Sequence, residues 1–170
     1  MRLSAAYLGT IRFLGCTDHV PGDGYLGRTS QCRKIPLTEF VDRKKDNDIL
    51  VNIIVKKQPL RICYMSQRNT KTDFPVLTCC VSLIGNEART VIGARPARAM
   101  VVEDQEDILG NFDQKSEEAK KEVIQKFADY AAEHVPTSGN MRGSKEYRTL
   151  LVKVLTRRAW EVVGGMKDEY

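Results

Sequence analysis

The stretch "FPVLTCCVSLIGNEARTVIGA", residues 74–94, decides how the chain is read. Its first half, 74–84, is strongly apolar and reads as a β-strand. Gly85-Asn86 is a tight-turn signal, and "EARTVIGA" (87–94) runs back as a second strand. Two such runs joined by Gly-Asn predict an antiparallel hairpin.

Working upstream, "LRICYMSQR" (60–68) reads as another strand, separated from the hairpin by the polar loop "RNTKTD". "DILVNIIVKK" (48–57) is rich in Val and Ile and reads as a strand. "CRKIPLTEF" reads as a strand ending at Pro36, followed by a short turn or helix. Residues 1–34 alternate only weakly and give no clear element. Downstream the period changes. "AMVVEDQEDILG" reads as a short helix closed by Gly110. A longer helix over 114–135, capped by Asp113 or Ser116, carries Ala119, Val123, Ile124, Phe127, Ala131 and Val135 at three- and four-residue steps. A last helix over 144–163 carries Tyr147, Leu150, Leu151, Val154, Leu155 and Val162, and Gly164-Gly165 ends it. Strands come first and helices second. The expected fold class is α+β, an antiparallel sheet with helices packed on one face. Its core is expected from Val76, Leu77, Val81 and Leu83 against Phe127, Leu151 and Val154.

Composition narrows the function. With 170 residues, 42% hydrophobic and 29% charged, the chain suits a globular protein able to bury a core. No run approaches the ~20 apolar residues of a membrane span. Arg12 interrupts the apolar start, which makes a poor secretory signal, so the expected location is cytoplasmic. The net charge of +5 permits nucleic-acid partners. Lys and Arg are spread along the chain, however, and aromatic residues are only 7% of it, so nucleic acid is disfavoured as a partner.

Local motifs exclude several chemistries. Gly22, Gly24 and Gly27 have the spacing of a dinucleotide fingerprint. Pro21 precedes them and a strand-like segment follows, so they read as a turn between strands. The five cysteines, Cys16, Cys32, Cys63, Cys79 and Cys80, contain no C-x-x-C, and the chain has only two histidines; zinc spacing is absent. Cys79-Cys80 could be a redox pair but reads better as buried apolar residues of a strand. Asp73 and Glu103 are isolated acids that read as turn and cap residues. No hydrolase nucleophile elbow or H-E-x-x-H stands in the sequence.

Four stretches in order carry a family resemblance. They are "CRKIPLTEF" with "NDILVNIIVKK" behind it, "YMSQRNTKTDFPVLTCCVSL", "VIGARPARAMVVEDQEDIL" and "RGSKEYRTLLVKVLTRRA". Together they resemble the FAD-binding middle subunit of molybdenum hydroxylases, the xanthine dehydrogenase and carbon monoxide dehydrogenase family, over roughly residues 32–160. The resemblance implies that residues 1–58 are the end of an FAD-binding domain and 59–165 the flavoprotein C-terminal α+β domain. It implies a subunit that relays electrons from iron–sulfur clusters through FAD to an acceptor such as NAD. Molybdopterin-binding and iron–sulfur subunits would be its partners, and the chain alone would catalyse nothing. The alternative is a docking module that has lost FAD.

Two flavin contacts carry over from the resemblance. Leu50 falls where the family packs an aliphatic residue on the flavin ring. Met65 falls where xanthine oxidoreductases place a lysine near the flavin's pyrimidine edge. A lysine would stabilise negative charge on reduced flavin and a methionine does not; for Met65 the reading as core packing is preferred. The family's glycine-rich phosphate motifs are not found in residues 1–34, so FAD binding by this chain alone is expected to be weak or absent. In the segment "RTVIGARPARAM", Pro96 is expected to stop the strand, with Arg95 and Arg98 at the start of a helix, paired with acids rather than phosphates.

Overall fold

The computed structural model describes residues 59–166 in full and, ahead of them, the backbones of three strands. The chain divides into two compact units, the first Tyr7–Gln58 and the second running from Pro59 onward.

In the first unit β1 (Ile11–Thr17), β2 (Gln31–Pro36) and β3 (Ile49–Val55) form an antiparallel sheet in the order β2-β1-β3. β2 and β3 lie where the sequence places strands. β1 is not legible in the sequence because Arg12 and Gly15 break its apolar pattern. The β1–β3 register shifts between Leu14 and Gly15, the kind of irregularity a glycine accommodates. β1 and β2 are antiparallel neighbours, with Thr17 opposite Gln31. The segment holding Gly22, Gly24 and Gly27 therefore joins two paired strands, although the glycines themselves lie outside the described residues, as does the turn expected after Pro36.

The second unit is the α+β fold expected. β4 (Arg61–Gln67), β5 (Leu77–Ile84), β6 (Glu87–Gly93) and β7 (Met100–Val102) form an antiparallel meander in chain order. The hairpin turns at Gly85, whose φ of 56° is open to glycine at little cost, and it pairs Ile84 with Glu87. Side chains alternate along β5. Leu77, Cys79, Val81 and Leu83 enter the main core, while Cys80 packs with Val91 and Ile62 in a smaller cluster. Both faces of β5 therefore carry buried residues, and its sequence is largely apolar, broken only by Thr78 and Ser82.

Two helices complete the unit. α1 (Glu117–His134) starts at Ser116, whose hydroxyl accepts from the Ala119 amide, so Ser116 and not Asp113 is the cap. α2 (Lys145–Val163) starts at Ser144, whose hydroxyl accepts from the Tyr147 amide. α2 packs across β4 and β5, and α1 packs on α2. Trp160 is fully buried between them, with ring centroids 5.0 Å from Phe112 and 6.4 Å from Phe127. Its indole N–H donates to Thr90 Oγ1 at 2.9 Å, which satisfies the one polar atom of the side chain.

Two expectations are corrected. The buried stripe of α2 is Arg148, Leu151, Val152, Leu155, Thr156, Ala159, Trp160 and Val163, while Tyr147 and Leu150 are exposed and Val154 is half-buried. The helix is rotated because an arginine and a tryptophan belong to its inner face. Residues 100–102 are strand β7 and not the start of a helix. Ala94 adopts a left-handed φ of 57°, turning the chain back so that Met100–Val102 pairs with β6.

Candidate functional site

Two connections meet beside the start of β5: residues 68–76, leading out of β4, and residues 135–144, between the helices. One side chain joins them. Arg148 is 1% exposed and projects from the first turns of α2. Its Nε–H donates to the Val76 carbonyl at 3.0 Å. Nη1 donates to the Ser138 carbonyl at 2.7 Å and the Gly143 carbonyl at 2.6 Å, and Nη2 to Asn140 Oδ1 at 2.6 Å. A guanidinium presents its donors in a rigid fork, which lets one side chain fix several acceptors at once. All four acceptors are neutral. Burial, and then the nearby charge of Arg142, hold the Arg148 pKa below the usual arginine value.

A second link is ionic. Arg142 Nε donates to Asp73 Oδ1 at 3.1 Å, and the other end of the loop is tied by Asn69 Nδ2 donating to the Arg142 carbonyl at 3.1 Å. Asp73 also accepts from the Phe74 amide at 2.7 Å. The hydrogen bond from Arg142 and that from the Phe74 amide hold the Asp73 carboxyl below its ordinary pKa. A carboxylate so held stays ionised at neutral pH and is a poor general acid. This matches the reading of Asp73 as a turn residue. Glu103 contributes only its carbonyl, which accepts from the Tyr130 hydroxyl, whereas its neighbour Asp104 accepts from the amides of Ile108 and Leu109.

The arginines of the 89–100 segment have local roles. Arg89 pairs with Glu87. Arg95 donates to the carbonyls of Arg98 (2.8 Å) and Pro136 (2.9 Å), so its partners are backbone groups where acids were expected. Cys79 and Cys80 point to opposite faces of β5 and are both buried. Burial pushes the Cys79 thiol pKa upward, which suppresses the nucleophilic thiolate. Among the described residues no cluster of His, Cys, Asp and Glu could hold a metal ion.

The two flavin contacts suggested by the sequence fall in different units. Leu50 lies in β3, where only the backbone is described. Met65 lies in β4 opposite Cys79 and packs, half-buried, against the main core. It offers a thioether surface and no charge. The diphosphate of FAD needs free backbone amides, typically at a helix N-terminus. Both described helix N-termini are disfavoured for a phosphate: Ser116 and Ser144 each accept from one amide of the first turn, and Glu117, Glu118 and Glu146 place negative charge there. The described helix N-termini therefore do not fit the phosphates of FAD.

Sequence reasoning missed Arg148 and Asn140. The signal was present, since Arg148 lies three and four residues before Leu151 and Val152, on the inner stripe of an apolar helix. A cation in that position implies a set of buried acceptors.

The fold and the locked loop pair define the class first: a four-stranded antiparallel meander backed by two helices, with no catalytic side-chain constellation among the described residues. The CO dehydrogenase flavoprotein C-terminal domain family matches residues 62–163, and the chain belongs to that family. Solved structures share the fold. Quinoline 2-oxidoreductase from Pseudomonas putida 86 aligns over 98% of this chain and 56% of its own, with a TM-score of 0.74 at 16% identity. A carbon monoxide dehydrogenase from Hydrogenophaga pseudoflava, lacking the Mo-pyranopterin moiety of its molybdenum cofactor, aligns over 95% of this chain and 55% of its own (TM-score 0.71, 17% identity). Reconstituted CO dehydrogenase from Oligotropha carboxidovorans gives the same coverage, with a TM-score of 0.70 at 17% identity. The chain thus spans little more than half the length of these chains. No curated protein matches it.

Proposed function

We propose that this chain is the C-terminal part of the flavoprotein subunit of a cytoplasmic molybdopterin-dependent dehydrogenase. In this reading residues 1–58 are the end of the FAD-binding domain and residues 59–165 the C-terminal domain. The observation that carries it is the extent of the structural likeness. The likeness covers 95–98% of the chain, well beyond the family match at 62–163, and so includes the three-stranded unit. FAD, when bound, would carry electrons from iron–sulfur clusters to an acceptor such as NAD. This chain would supply apolar ring contact from Leu50, while Met65 packs against the main core. Its locked loops would hold the C-terminal domain rigid. Molybdopterin-binding and iron–sulfur subunits are the partners.

The second reading, a docking module without FAD, is favoured by one observation: the self-capped, acidic N-termini of α1 and α2. Co-expression with candidate molybdopterin-binding and iron–sulfur subunits from the same genome separates the two. A complex that co-purifies with molybdopterin and iron–sulfur centres, and that carries flavin absorption, supports the first reading. The same complex without flavin supports the second. No complex at all overturns both.

A further inference from the structure

Four of the six large apolar side chains exposed among the described residues gather in one place. They are Phe74 (74% exposed), Met141 (91%), Tyr147 and Leu150. They lie on the two tied loops and the first turns of α2. The Arg142 guanidinium lies 5.3 Å over the Phe74 ring, and Met141 directly precedes Arg142. The Tyr147 ring edge is 3.3 Å from the position a Cβ on Gly143 would take. Leu150 follows Tyr147 by one turn of α2 on the same face.

The charge around this patch is mixed with a cationic excess, four basic side chains against the carboxylates of Asp73 and Glu146. Arg68, Lys71 and Lys145 are exposed at its edge and Arg142 is half-exposed within it. The two carboxylates nearby are already engaged. Asp73 is held by Arg142 and the Phe74 amide, and Glu146 by Ser144 and a backbone amide.

We propose that this patch is a docking surface for a neighbouring protein subunit that presents carboxylates around an apolar centre. The inference rests on the multi-subunit function proposed above and names a surface for it. An aromatic and Met centre with an arginine inside a charged rim is the make-up of a specific protein interface. The cationic rim selects an acidic partner and steers its approach. The surface is also preorganised. Arg148 and the Asp73–Arg142 pair fix both loops before any partner arrives, which lowers the ordering cost of association. Nucleic acid fits less well. Phe74 already carries a guanidinium over its ring, and Met141 and Leu150 offer no flat surface for base stacking.

The test uses the full chain co-expressed with candidate molybdopterin-binding and iron–sulfur subunits from the same genome, read by size-exclusion chromatography and by the salt dependence of assembly. Phe74→Ser and Met141→Asp should each weaken assembly at least about tenfold. Arg68→Glu with Lys71→Glu should weaken it and flatten its salt dependence. Tyr64→Ser, at an exposed aromatic elsewhere on the sheet, should leave it unchanged. Met141 is almost wholly in solvent, so its variant keeps the core intact, and circular dichroism and urea midpoints verify this. If wild type assembles and the Phe74 and Met141 variants assemble equally well, the patch is not the interface and the functional reading stands. If wild type itself stays alone, the functional reading falls and this inference with it. Retention on duplex DNA that is lost in the Arg68/Lys71 double variant would assign the patch to nucleic acid and overturn the proposal.

Discussion

Arg148 shows how much one residue can organise, because it feeds four neutral acceptors on two loops and is itself almost inaccessible. Replacing it by Met would leave those acceptors without their donor. The cost should be about 3 kcal/mol, and Arg148→Lys should recover only part of it, since an ammonium cannot span the same fork. Urea melts of both variants check this, and equal midpoints for Met and Lys would remove the fork from the explanation. Asp73 gives a pH signature. Its folded pKa is depressed, so its contribution is fully present above the ordinary carboxylate pKa and is lost as pH falls through the lowered value. Below about pH 4 wild type should therefore lose stability that Asp73→Asn lacks at every pH. The difference in urea midpoint between the two proteins should shrink between neutral pH and pH 3. Neither residue's partners were legible in the sequence. The Arg142–Asp73 contact spans 69 positions, and no local pattern encodes a pairing of that range.

At the scale of elements, legibility followed periodicity. The hairpin was readable because a Gly-Asn turn joins two runs whose β-branched and apolar residues serve both faces of a central strand. Both helices were readable from their capping serines and three- and four-residue steps. The face of α2 was misread because hydrophobicity alone assigns Tyr147 and Leu150 inward, whereas the length of the arginine and indole side chains puts Arg148 and Trp160 inside. β7 was misread because its three residues are too few to carry a period, and pairing with β6 supplies what propensity does not. The packing of α2 against β5, and of α1 on α2, makes two substitutions diagnostic. Phe127→Ala and Leu151→Ala remove side chains 1% and 7% exposed, and each should cost about 2–5 kcal/mol in urea melts. Shifts under about 1 kcal/mol for both would mean that neither side chain fills the sheet–helix core. Ser116→Ala removes the cap of α1 and should cost about 1 kcal/mol, read in the same way.

At the scale of the whole molecule, the family was legible from four ordered stretches, whereas no single motif was specific. The position of a cofactor was less legible, because its phosphate contacts depend on amides whose availability is set by capping and not by residue type alone. The chain by itself should bind FAD weakly: titration followed by flavin fluorescence should not saturate at low micromolar concentration. Saturation there would reveal a phosphate site outside the described residues. The clamp on residues 138–143 also governs how long the chain survives as one piece. A trypsin-like protease must draw the bond after Arg142 into an extended strand in its cleft. Here the Arg142 carbonyl is held by Asn69 and the Gly143 carbonyl by Arg148. Digestion of wild type should spare this bond while cutting at other surface lysines and arginines. In Arg148→Met it should become an early cleavage site, so a buried side chain sets the lifetime of an exposed peptide bond.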